Sequence, residues 1–174
     1  MALLVGQCPV PSHRDGHPIF STRRADVTAR PTAGSTIAWA LTCQTDQHGR
    51  PTAGQINFGP GLVSTDPSQL PLQISTAIHE LTHALGFSAS GFSTWLAPGT
   101  QNTAVYSNVV WSGTLNGNSV KAIITPNVAA AASAQFACLS WTTMPAGGQL
   151  EDYGSSGTAG SHWKKRVFMN EYSK

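Results

Sequence analysis

Residues 79–88 read HELTHALGFS and place two histidines four apart around a glutamate, with Gly86 three residues after the second histidine. On a helix, residues i and i+4 share one face about a turn apart. His79 and His83 can therefore turn an imidazole nitrogen each toward one metal ion, with roughly 2.0–2.1 Å per nitrogen in a zinc site. Glu80, one residue on, is angled beside that ion, where it can hold a water and take its proton. Such an H-E-x-x-H arrangement is the metalloprotease pattern. Histidine and glutamate also occur on wet helix faces without any chemistry, so the pattern needs its context. Two helical histidines also leave zinc short of a third protein ligand.

Four other histidines are available: His13, His17, His48 and His162. His13 and His17 in HRDGHP are four apart, but Gly16 and Pro18 break any helix there and favour ordinary loop histidines. His48 in DQHGRP reads most simply as a turn residue. His162 follows a glycine-rich loop able to bring it in from a distance, and is the strongest candidate.

The metal-binding pattern needs a helix, and the flanking sequence supplies one. Asp66-Pro67 and Pro71 suit its start, where proline's missing donor costs nothing. Ile74, Ile78, Leu81 and Leu85 recur at helical spacing and predict a core-facing stripe. Gly86 stands where a left-handed residue ends a helix. Upstream, a short strand is expected near DVTAR, a half-buried strand over residues 36–43 (TIAWALTC), and another over GQINFGP with Ile56 and Phe58 on one face. Downstream, residues 104–125 predict two strands around an Asn116-Gly117 turn. TPNVAAAASAQFAC predicts a helix with Thr125 as cap and Pro126 in its first turn. MPAGGQLEDYGSSGTAGSH reads as a glycine-laden loop. No internal repeat is visible.

Composition bounds the rest. The chain has 174 residues, enough for one domain with a real core, and is 40% hydrophobic but only 10% charged. That is too apolar for disorder and too poor in Lys and Glu for a helical bundle, leaving a loop-rich α+β domain. The net charge is +2 and the longest basic run is Lys164-Lys165-Arg166, which gives no reason to expect nucleic acid. The apolar run at the amino terminus is too short for a signal peptide, and no stretch is long enough to span a membrane. Three cysteines, Cys8, Cys43 and Cys138, make an odd count.

HELTHALG resembles the first part of the metzincin zinc-protease signature, whose helix stops at glycine before the chain turns back with a third histidine. In most metzincins that histidine stands three residues after the glycine; here the position is Ala89. In the leishmanolysin family a long insertion intervenes, and the segments VTARPTAGSTIAWALTC, GQINFGP, HALGFS, TPNV, LEDYGSSGTAGSHWKKR and NEY are similar to leishmanolysin segments in the same order.

This resemblance implies a metzincin-like α+β domain with a mixed twisted sheet packed on the active-site helix and a long loop-rich insertion. Its expected parts are a catalytic subdomain over 1–88 with the helix at about 70–86, an insertion over 89–161, and the start of a C-terminal subdomain over 162–174. It implies one zinc ion per chain held by His79, His83 and His162, Glu80 as general acid/base, and hydrolysis of protein or peptide substrates. Cys8 and Cys43 match positions that pair in a disulfide in the family, and Cys138 one whose partner lies further downstream. Cell-surface or secreted localisation, with a role in adhesion and membrane association only through segments outside these residues, is implied in the same way.

Two departures set the alternative. The family's pro-segment and C-terminal subdomain have no counterpart here, so truncation at both ends is expected. Ser173 stands where the metzincin methionine belongs, and Met169 lies too close to His162 to replace it. The other reading is accordingly a shortened, non-catalytic surface or binding module, or a gene fragment.

Overall fold

The computed structural model describes residues 24–29, 34–97, 105–137, 141–154 and 157–169. They form two compact units: one takes the chain up to Leu85 apart from 47–50, the other takes 47–50 and the chain from Gly86 onward. Helix and sheet are mixed, as the composition predicts.

The first unit is a three-stranded sheet with one helix. Strands β1 (Arg24–Ala29), β2 (Ala38–Thr45) and β3 (Pro51–Phe58) are ordered β1-β3-β2. β1 runs parallel to β3 and β2 antiparallel to it, with an irregularity between Thr42 and Gln44 that leaves Cys43 as the extra residue. All three expected strands are present. Along β2, Ala38 is the buried residue and Trp39 to Cys43 are all half-buried.

Helix α1 (Leu70–Ala84) follows a single 3-10 turn over Pro67–Gln69. The Asp66 carboxylate accepts from the Ser68 N–H at 2.9 Å, and Pro67 and Pro71 occupy first-turn positions where no amide donor is required. At the other end the Leu85 N–H donates to the Leu81 carbonyl at 2.9 Å, and Gly86 takes φ of +106°, a conformation a side chain resists.

The orientation of α1 corrects the sequence expectation. Ile74, Ile78, Leu81 and Leu85 are exposed, between 38% and 51%, together with Leu70 and Leu72. The helix instead presents Gln73, Thr76, Ala77, Glu80 and Ala84, which are half-buried or buried, and it packs on β2 and β3. Small residues allow the approach: a Cβ on Gly54 would lie 2.9 Å from that of Ala84, and Thr42 Oγ1 donates to the Ala84 carbonyl at 3.1 Å. Helical period identifies a stripe, but the close Gly54–Ala84 contact fixes which face of α1 meets the sheet.

The second unit is built on strands β4 (Val110–Leu115), β5 (Asn118–Ile123) and β6 (Gly148–Gln149), all antiparallel. Asn116 and Gly117 both have positive φ, as the tight hairpin turn expected there requires. Helix α2 (Pro126–Gln135) begins after Thr125, as expected, but the Thr125 hydroxyl makes no capping bond. Its carbonyl instead accepts from Ala129 N–H at 2.8 Å. A single turn, α3 (Lys165–Phe168), follows. Phe87, Phe92, Val109, Ile123 and Leu150 form the core, with Trp95, Tyr106 and Trp163 against it. Among the described residues no helix is long and apolar enough to cross a membrane.

Candidate metal centre

In the first unit, the turn of α1 between residues 79 and 83 brings His79 Nε2 and His83 Nε2 to 3.1 Å. Their rings stand edge to face, centroids 4.7 Å apart. Two nitrogens each at the zinc distance, on a tetrahedral ion, would lie roughly 3.3 Å apart. The pair is thus spaced for one shared ion. Glu80 is 6% exposed, and burial pushes its carboxyl up to about 7 because the charged form loses its hydration. A carboxyl poised there can both take and return a proton near neutral pH.

In the second unit, His162 is 9% exposed, and its Nδ1 lies 3.0 Å from the Thr158 carbonyl. A carbonyl oxygen only accepts, so Nδ1 carries the proton and the lone pair is left on Nε2. Neighbours on both sides of His162 are fixed. Ser161 Oγ accepts from the Ala89 N–H at 3.0 Å, and the Trp163 ring packs 4.9 Å from Phe87 and 5.2 Å from Phe168. Ala89 stands where a short-spaced third histidine would be, and its amide grips the residue next to the distant one.

Each unit thus offers imidazole donors of its own, His79 and His83 in the first and His162 in the second. Imidazole is a ligand that suits zinc, copper, iron or nickel.

The leishmanolysin family model matches residues 24–174. The chain is 33% identical to a leishmanolysin-like peptidase of Drosophila melanogaster, 34% to a leishmanolysin homolog of Crithidia fasciculata, and 31% to leishmanolysin of Leishmania major, each over 83% of its length. The chain belongs to the leishmanolysin family. It spans 25%, 20% and 22% of those three relatives, a quarter or less of each.

His48 lies in the turn between β2 and β3 of this leishmanolysin-family chain, whereas His13 and His17 are outside the described residues. So are Cys8, Cys138 and Ser173, which carry the disulfide and methionine expectations. Met169 is 67% exposed with φ of +52°, not a buried floor. Sequence reasoning passed over Thr158, Ser161 and Glu151, which fix the His162 segment. Backbone-directed hydrogen bonds leave no periodic trace in sequence, and a lone Glu in a glycine-rich stretch was the available sign.

Proposed function

We propose that the chain is the zinc-binding catalytic portion of a leishmanolysin-type metalloendopeptidase that hydrolyses peptide bonds in protein or peptide substrates. The observation that carries this reading is the 3.1 Å pairing of His79 and His83 beside the buried Glu80 on one helix. Imidazole nitrogens at that spacing fit a zinc ion, and His162, with its lone pair on Nε2, is the third ligand. When bound, zinc supplies Lewis acidity that polarises a carbonyl and makes water nucleophilic near neutral pH.

The protein's own groups then have distinct tasks. His79, His83 and His162 hold the ion. Glu80 accepts a proton from the attacking water and returns it to the departing amine, a task its raised pKa suits. Its burial keeps bulk water from competing for that proton. The substrate lies extended along a sheet edge, where main-chain hydrogen bonds align it. A Cys8–Cys43 disulfide and a cell-surface or secreted location belong to the same reading, as the family resemblance implies.

The test is metal content after stripping and reloading, with cleavage of a quenched peptide library. Stoichiometric zinc is expected, and Glu80→Ala should keep the metal but lose roughly 10²–10⁴-fold in rate. A chain that takes up no zinc, or a Glu80→Ala variant as active as the parent, sinks the proposal. Zinc uptake without any cleavage by the parent chain favours a non-catalytic binding module.

A further inference from the structure

Resting on the zinc reading above, we infer that Glu151 is the positioning residue for His162. Its carboxylate gathers three backbone amides from two separate stretches. Oε1 accepts from the Asp152 N–H at 3.0 Å and the Tyr153 N–H at 3.3 Å, and Oε2 accepts from the Lys165 N–H at 3.1 Å. The Glu151 backbone adds two more ties. Its N–H donates to the His162 carbonyl at 2.8 Å, and its carbonyl accepts from the Gly160 N–H at 2.8 Å. His162 thus lies inside a loop closed twice by the same residue, once through its main chain and once through its side chain.

This loop is anchored in turn. Leu150 and Trp163 form an antiparallel bridge, the Lys164 N–H donates to the Gln149 carbonyl at 2.9 Å, and the Leu150 N–H to the Lys121 carbonyl at 2.9 Å. The segment carrying His162 is therefore an extension of the β5–β6 sheet, and Glu151 is the side chain that locks it there. Other polar neighbours are weaker candidates. Lys164 pairs with Asp152 and lies 5.5 Å over the Tyr153 ring, but that pair sits near the surface, where water and salt screen it.

An ionised carboxylate accepts at both oxygens, so it can serve the Asp152–Tyr153 end and the Lys165 end together. A glutamine can serve only one end, because its NH₂ group meets an amide donor at the other. Alanine serves neither. Loss of groups that orient a metal-ligating histidine weakens metal affinity by roughly 10–100-fold. The His162 ring is set by its Thr158 contact only while the backbone between Glu151 and Lys165 keeps its path.

The experiment measures zinc affinity of the whole chain by competition with a chelating dye, for the parent, Glu151→Gln, Glu151→Ala, His162→Ala and the Glu151→Ala/His162→Ala double variant. Glu151→Ala should bind zinc about 10–100-fold more weakly, with Glu151→Gln between it and the parent. In the His162→Ala background, where the α1 pair alone binds weakly, removing Glu151 should change nothing further. A merely structural role would weaken binding equally in both backgrounds, and that result overturns the inference. So does unchanged affinity in Glu151→Ala while the parent binds zinc. A parent that binds no zinc overturns the underlying reading as well. Should Glu151→Ala fail to fold, Glu151→Gln carries the same comparison. Amide exchange at Lys165, read without metal, should quicken in Glu151→Gln or Glu151→Ala, and unchanged protection there also counts against it.

Discussion

His79 Nε2 and His83 Nε2 lie 3.1 Å apart on consecutive turns of α1, with no neighbouring element needed to bring them together. Helix geometry alone makes this pair, and Gly86 ends the helix just beyond it.

On the proposed zinc reading, neither histidine can be spared. His79→Ala and His83→Ala should each abolish stoichiometric zinc binding, because two remaining nitrogens leave the ion too few protein ligands. His48→Ala should leave zinc content unchanged. Metal analysis after dialysis reads all three, and a zinc-replete His83→Ala would place the ion elsewhere.

The exposed stripe of α1 gives a stability prediction of opposite sign to the sequence pattern. Ile74→Gln and Leu81→Gln, at positions 51% and 41% exposed, should change unfolding free energy by no more than about 0.5 kcal/mol. Ile123→Ala, at a position with 0% exposure, should cost about 2–5 kcal/mol. Urea midpoints separate the cases, and a loss above about 2 kcal/mol at Ile74 would mean the stripe is covered in solution.

These contrasts show what was legible in the chain. Local rules found α1, its proline start, its glycine stop and the pairing of its two histidines, because each depends on residues within a few positions. They also found the Asn116-Gly117 hairpin, whose turn chemistry is written in two residues. The facing of α1 was not legible: the close approach of Ala84 to Gly54 is a long-range packing choice, and the apolar stripe pointed the other way. Nor was the clasp around His162, since a side chain accepting backbone amides far along the chain has no spacing rule.

Asp66 links helix initiation to pH. Its bond from the Ser68 amide holds the carboxyl below the usual value of 3.8, so the folded state favours the ionised form. Stability from this group is present above that unfolded value and is lost as pH falls through the lower folded one. Asp66→Ala should therefore lower the melting temperature at pH 7, and the gap to the parent should narrow in acid. Thermal melts across pH 2–7 read the difference, and a gap independent of pH contradicts the assignment.

At Gly54 the sheet of the first unit lies close against α1. A Cβ there would stand 2.9 Å from the Ala84 Cβ and 3.2 Å from the Leu41 carbonyl oxygen, both closer than ordinary contact. Neither neighbour is the flexible end of a long side chain, so relief requires α1 to move or β3 to bend. Gly54→Ala should consequently cost about 1–3 kcal/mol, the usual penalty for overpacking, despite alanine's lower conformational freedom in the unfolded chain. Ala84→Gly alone should cost about 1 kcal/mol through helix propensity. Combined, the two should lose less than their sum, since the second substitution removes the atom the first collides with. Urea unfolding of the four proteins closes the cycle, and strict additivity would show that the helix does not rest on Gly54.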